Sequence, residues 1–357
     1  MNRNNIYPTV QAMLAALLFG ASAPLAKLLL GEIEPISLGA LLYLGSGFGL
    51  LILRIFQYTG KQSEGTEAPL KTADVFWLAG SIIAGGIAAP IILLFGLRDT
   101  PGATASLLLN FEAVATTVIA AIAFKEAVSR RAWWAILVIT SASILLSINM
   151  DSEWGLSLGA LGIIVACVLW GLDNNFTRNI STKNPMTIVM IKGLVAGSFS
   201  LILTLVLGNP IPNLITVIKA MVLGSLGYGL SITLFIRAMR GLGAARTSAL
   251  FGTAPLAGVL LSFLLLQESL GAMSLVALSL MIVGAFLLVN EEHNHNHVHE
   301  AIIHEHGHLH DDDHHTHQHT NDIIRSHSHL HEHFQYEHEH HHLPDLHHRH
   351  THQAEAQ

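Results

Sequence analysis

A few ionisable and amide side chains lie inside long apolar stretches, where each is chemically conspicuous. Glu112 follows Asn110 by two residues, and no lysine lies in the same stretch to neutralise it. A carboxyl in apolar surroundings is suited to carry a proton or to meet the ammonium group of a ligand; alternatively it is a protonated side chain bonded to a neighbouring helix. Asp173 is followed by Asn174 and Asn175, with Trp170 just before, and Lys192 lies further along in the next apolar stretch. Asp173 and Lys192 can neutralise each other, either as a gate that opens and closes or as a static ion pair. Lys192 alone could instead snorkel to a polar boundary.

A second kind of chemistry is concentrated at the other end of the chain. All 24 histidines lie after residue 292. They recur as His-x-His: His293, His295, His297 and His299, then His304, His306, His308 and His310, followed by His314, His315, His317 and His319 and by His327, His329, His331 and His333. Imidazole suits divalent zinc, nickel, cobalt and copper, and Asp311–Asp313 can add oxygen ligands. A pH sensor and an inert spacer are the competing readings, the first because histidine protonates near pH ~6.5. With 13 acidic and 2 basic residues and little apolar surface, residues 291–357 are expected to be disordered without a ligand.

The remaining elements must place Glu112, Asp173 and Lys192. The chain has 357 residues, 51% hydrophobic and 12% charged, with mean hydropathy +0.49. Apolar runs close to the roughly 20 residues that cross a bilayer fall at about 9–30, 35–57, 74–97, 102–124 and 131–149. Five more fall at about 155–178, 185–208, 214–238, 244–266 and 270–290. They are apolar on all faces, unlike the alternating strands of a barrel. The expected fold is therefore an all-α polytopic membrane protein with ten transmembrane helices. The first run continues past Ala21–Ala23 through Pro24, so it reads as a span rather than a cleaved leader. Cys167 has no partner for a disulfide within the chain and reads as a packing residue.

Lysine and arginine gather in alternate connections: Arg3; Arg54, Lys61 and Lys71; Lys125, Arg130 and Arg131; Arg178 and Lys183; Arg237, Arg240 and Arg246. The intervening connections hold Arg98 and Lys219 among mostly acidic charges, with Lys27 at a span end, where it is expected to snorkel. The positive-inside rule then puts both termini in the cytoplasm of a cell whose inner membrane holds the chain. Pro24, Pro90 and Pro255 lie within spans and can loosen the backbone, while Gly45, Gly47 and Gly49 suit close helix packing. No phosphate loop, hydrolase motif or body metal motif appears, so an enzyme is not expected.

The two halves, 9–149 and 155–290, look alike. Phe19-Gly20 with Lys27 lines up with Trp170-Gly171 and Arg178; Ala103-x-x-Ser106 with Ala245-x-x-Ser248; Lys125-Glu126 with Gln267-Glu268. Five spans per half invert the second repeat relative to the first, as in secondary transporters. The chain resembles the EamA-type branch of the drug/metabolite transporter superfamily. The resemblance covers residues 9–290 and rests on Leu18-Phe19-Gly20 with Lys27, Leu169-Trp170-Gly171 with Arg178, Thr253-Ala254-Pro255, and the span-end Glu126 and Glu268. It implies a ten-helix carrier, often an exporter of amino acids, metabolites or drugs. Two departures stand out: Ala113 is the counterpart of Pro255, and Lys192 and Leu42 occupy positions where the family frequently has arginine.

Two functions follow. In the first, the chain exports small organic solutes by alternating access, along a pathway lined by Glu112, Asn110, Trp170, Asp173, Asn174 and Lys192, and the tail buffers or senses metal. In the second, a divalent transition metal (Ni, Co or Zn) is the cargo and the tail loads it. Against the second, the spans offer no histidine and one cysteine. A non-transporting anchor for a metal store is the third class. Transport would require no cofactor; the expected partners are a small-molecule substrate, the lipid bilayer and metal on the tail, with no nucleic acid. A homodimer stays open.

Overall fold

Long apolar runs in lipid must satisfy their backbone hydrogen bonds internally, and helices do so within each segment. The computed structural model describes residues 3–59, 69–123, 130–147, 157–180, 183–242, 250–268 and 271–289. In the tail it describes 293–299, 302–308, 327–333 and 336–342. In the first half the helices are α1 Arg3–Leu29, α2 Pro35–Thr59, α3 Thr72–Arg98, α4 Gly102–Ala123 and α5 Arg130–Ser147. The second half has α6 Leu158–Asn179, α7 Pro185–Val206, α8 Leu214–Ala238, α9 Ala254–Leu266 and α10 Ala272–Val289. Seven of these are long and apolar enough to cross a bilayer, and α5, α9 and α10 contribute shorter apolar stretches. Large apolar side chains such as Phe56, Ile122, Phe263 and Phe286 face outward, as a lipid-facing surface requires.

Local sequence sets several helix starts. Ser157, Asn184 and Asn213 each accept a hydrogen bond from the backbone N–H three residues on, capping α6, α7 and α8. Pro185 occupies the first turn of α7, where its missing N–H costs nothing. Gly208 closes α7 at φ +69°, in the left-handed region that glycine tolerates.

Packing follows one pattern in both halves. α1 lies against α8 and α9, and α6 lies against α3 and α4; α2 packs on α7 and α5 on α10. Exchanging α1–α5 for α6–α10 maps these partnerships onto themselves. The irregularities match too. α3 carries a π-helical segment at Ile82–Ala88 and α8 one at Ser225–Leu230. α4 is interrupted at Leu109–Asn110, and a turn at Gly252–Thr253 precedes α9. Gly45, Gly47 and Gly49 of α2 lie against Met221, Leu194 and Ser225, close approaches that a side chain would block.

In the tail, expected to lack regular structure, four strands are present: β1 His293–His299, β2 Ile302–His308, β3 His327–His333 and β4 Tyr336–His342. β1 pairs antiparallel with β4 and β2 with β3. The His-x-His alternation has the two-residue period of a strand, which accounts for the extended backbone.

Candidate functional site

α6 turns a polar side toward each of its neighbours. On one side lies Asp173, buried between α3 and α7. Its Oδ1 accepts hydrogen bonds from Ser81 Oγ at 2.5 Å and Thr177 Oγ1 at 3.1 Å, and its Oδ2 forms an ion pair with the Lys192 ammonium. The mutual neutralisation anticipated for Asp173 and Lys192 thus takes the form of an ion pair, with both side chains largely buried. Both carboxylate oxygens have donors, which a buried ion needs to offset lost hydration. Gly85 makes room for the carboxylate: a Cβ there would overlap it.

On the other side, α6 meets α4. Asn174 Nδ2 donates to Glu112 Oε1 at 2.8 Å and to Thr116 Oγ1 at 3.1 Å, and Thr116 sits one helical turn beyond Glu112. Asn175 ties the same two helices by donating to the Thr116 and Gly171 carbonyls at 3.1 and 2.8 Å. Glu112 lies in the first turn of the second segment of the interrupted α4, which begins at Phe111, and it is half-buried while Asn174 is exposed. Asn110 is not part of this group; its amide reaches Met281 Sδ of α10 at 3.6 Å, because the turn at Leu109–Asn110 directs it to a different neighbour.

Trp170 stands between the two polar groups. Its Nε1 donates to the Gly85 carbonyl at 3.1 Å, and Tyr43 Oη donates to the same oxygen at 2.6 Å. A π-turn disturbs the regular α-helical pairing, and here two donors from α2 and α6 converge on one carbonyl within it. Around them, Phe19 packs edge-on against Trp170 and Tyr228, with ring centres 6.4 and 6.1 Å apart. It also lies 5.2 Å from Phe251, and Tyr43 lies 5.7 Å from Tyr228. Aromatic rings from α1, α2, α6 and α8 therefore form one cluster around Phe19 and Tyr228, joined to α3 through the Gly85 carbonyl.

Sequence reasoning singled out neither Ser81, Thr177, Thr116, Tyr43 nor the Gly85 carbonyl. Thr177 and Thr116 follow Asp173 and Glu112 by four residues, a spacing that places them on the same helix face and could have signalled them. Ser81 and Tyr43 carry no such signal. Among the described residues no group of three or more His, Cys, Asp and Glu side chains could hold a metal. Cys167 is buried, with its thiol directed at the Leu108 and Leu109 carbonyls at 3.7 and 3.9 Å. Of the tail histidines, His310, His314, His315, His317 and His319 lie outside the described residues, and the others named above lie on the four strands.

Charges at the helix ends cluster in two layers. At one, Lys183 lies 3.8 Å from Asp74, and Arg54 donates to Thr187 Oγ1 at 3.2 Å. At the other, Lys219 lies 3.5 Å from Glu32, which accepts a 2.6 Å hydrogen bond from Thr216 Oγ1. Lys27 does not snorkel as anticipated. Its ammonium donates to the Leu97 carbonyl at 3.0 Å and to the Thr100 carbonyl, oxygens at and just beyond the end of α3.

Comparison with known proteins agrees with this arrangement. The EamA-like transporter family matches residues 8–148 and again 157–290. A protein of Methanothermobacter thermautotrophicus described as an uncharacterized transporter is 27% identical over 292 residues, covering 78% of this chain and 85% of its own length. A solved crystal structure, titled only as that of a protein, superposes with TM-score 0.58 at 19% identity, covering 78% of this chain and 94% of its own; at that identity it speaks for the fold alone. A double match over most of the chain, on a bundle of apolar helices, makes this chain a member of the EamA-like transporter family.

Proposed function

We propose that the protein is a secondary transporter that exports small organic solutes, such as amino acids, metabolites or drugs. Its two five-helix halves are inverted relative to each other and rock to expose a midplane site to either side. The observation that carries this reading is the Glu112–Asn174 group, a carboxylate and an exposed amide at the break of a discontinuous helix, with Trp170 and its aromatic cluster one turn before Asn174 on α6. Broken helices at membrane depth are tolerated where they line a cavity or are buried in protein, and they commonly build carrier sites. Glu112 binds a cationic group or a proton, while the aromatic faces hold an apolar portion. Asp173–Lys192 acts as the gate toward the cytoplasmic end, where both termini lie. The chain resides in the inner membrane.

The tail, in this reading, buffers or senses zinc, nickel or cobalt. The choice of organic solute over metal as cargo is supported by the donors around Glu112: oxygens and amides, with the one thiol turned away toward backbone carbonyls. A screen of amino-acid and drug efflux, alongside metal-tolerance growth, in cells expressing full-length and tail-less protein tests it. Solute efflux that survives tail removal supports the proposal; loss of all transport together with metal sensitivity would favour metal as cargo.

A further inference from the structure

The span-end Glu268 has an occupation that the substrate site does not explain. Its Oε1 accepts from the Gly102 backbone N–H at 2.8 Å and its Oε2 from that of Ala103 at 2.9 Å. A carboxylate at the end of α9, in the second half, thus caps the start of α4, in the first half. The first-turn N–H groups of α4 have no intrahelical acceptor, so Glu268 supplies one across the boundary between the halves.

Below this cap the two helices are closed tightly. A Cβ at Gly102 would strike Leu266 and Ser262, and one at Gly258 would strike Ser106. The seam is nevertheless lined with hydroxyls: Ser106 and Ser262 are buried, and the oxygen of each has no hydrogen-bond partner among the described residues. Buried hydroxyls without partners are unusual in a permanent interface. They are suited to a surface that water reaches in another state. Glu32 with Thr216 and Lys219 ties the halves at the same end of the bundle, while Asn174 is exposed.

We infer that the α4–α9 seam is the outer gate of the passage, latched by Glu268 on the Gly102 and Ala103 N–H groups, with Ser106 and Ser262 becoming hydrated when it opens. This rests on the carrier reading, which puts that end outside. Glu268 is a positioning residue: it touches no substrate and acts through α4. Opening the gate must break two charge-assisted hydrogen bonds, which water or a displaced side chain then replaces.

The test uses the full chain with Cys167→Ala and one reporter thiol, Ser106→Cys or Asn174→Cys. Reaction with a membrane-impermeant maleimide is followed in intact cells for the first reporter and in inverted vesicles for the second. Glu268→Ala is expected to speed labelling at position 106 severalfold and to slow it at position 174. Glu268→Gln, whose amide oxygen can still accept from one N–H, should fall between Glu268→Ala and the parent. Unchanged labelling at 106 in either variant, eluting as a single species, would overturn the latch. So would faster labelling at both positions, which signals general loosening. The reaction requires no substrate, so the latch is judged even if every solute screen is negative and the carrier reading falls.

Discussion

Lys192 of α7 forms an ion pair with Asp173 of α6, and the same carboxylate takes hydrogen bonds from Ser81 of α3 and Thr177 of α6. The counterparts in the first half, Ser22 and Leu42, carry no charge. The positions in line with Asp173 and Lys192 in the first half therefore offer no equivalent ion pair.

Removing one partner of a buried pair strands the other. Lys192→Met and Asp173→Ala should each destabilise by on the order of 3–5 kcal/mol, with Asp173→Ala the worse because an ammonium remains with no carboxylate. The double variant Asp173→Asn with Lys192→Met should recover most of the loss. Thermal unfolding in detergent reads this, and strictly additive losses would argue against coupling.

Glu112→Gln preserves side-chain size and an oxygen for Asn174 but removes the charge. Efflux should drop at least tenfold, about 1.4 kcal/mol or more in barrier terms, with little change in melting temperature. Efflux with the parent's rate and pH dependence would remove Glu112 from the transport step.

Gly85→Ala places a methyl group where the Asp173 carboxylate sits. Relieving that overlap should cost about 1–3 kcal/mol, as overpacking does, and should lower the melting temperature. A variant as stable as the parent would mean that α3 and α6 are further apart than described.

The Glu32 carboxyl, at the α1–α2 turn, is held below the usual carboxylate range, first by the Thr216 hydroxyl and second by the Lys219 ammonium. A depressed folded pKa adds stability above the unfolded value of about 4.3, and this is lost as pH falls through the lower folded value. The stability difference between parent and Glu32→Gln should stay constant from neutral pH down to about pH 5 and shrink in more acid buffer. A difference independent of pH throughout would show that Glu32 is not preferentially ionised in the folded state.

Deleting residues 293–357 should abolish retention on a nickel column and leave solute efflux intact. Retention by the tail-less chain would place metal binding in the body instead.

Sequence alone determined the succession of apolar helices and most of their limits, because apolar length is dictated by bilayer thickness and is read residue by residue. The run expected from about 244 yields α9 only from Ala254. It also marked Glu112, Asp173 and Lys192, since a charge inside an apolar run is conspicuous without any structure. Tertiary packing decided the partners. That Asn174 rather than Asn110 reaches Glu112 depends on the turn at Leu109–Asn110. That Ser81 and Lys192 converge on Asp173 depends on three helices meeting, and that Lys27 grips the end of α3 depends on α1 passing beside the Leu97 and Thr100 carbonyls. These contacts join residues far apart in the chain; local composition has no means of encoding which ones close.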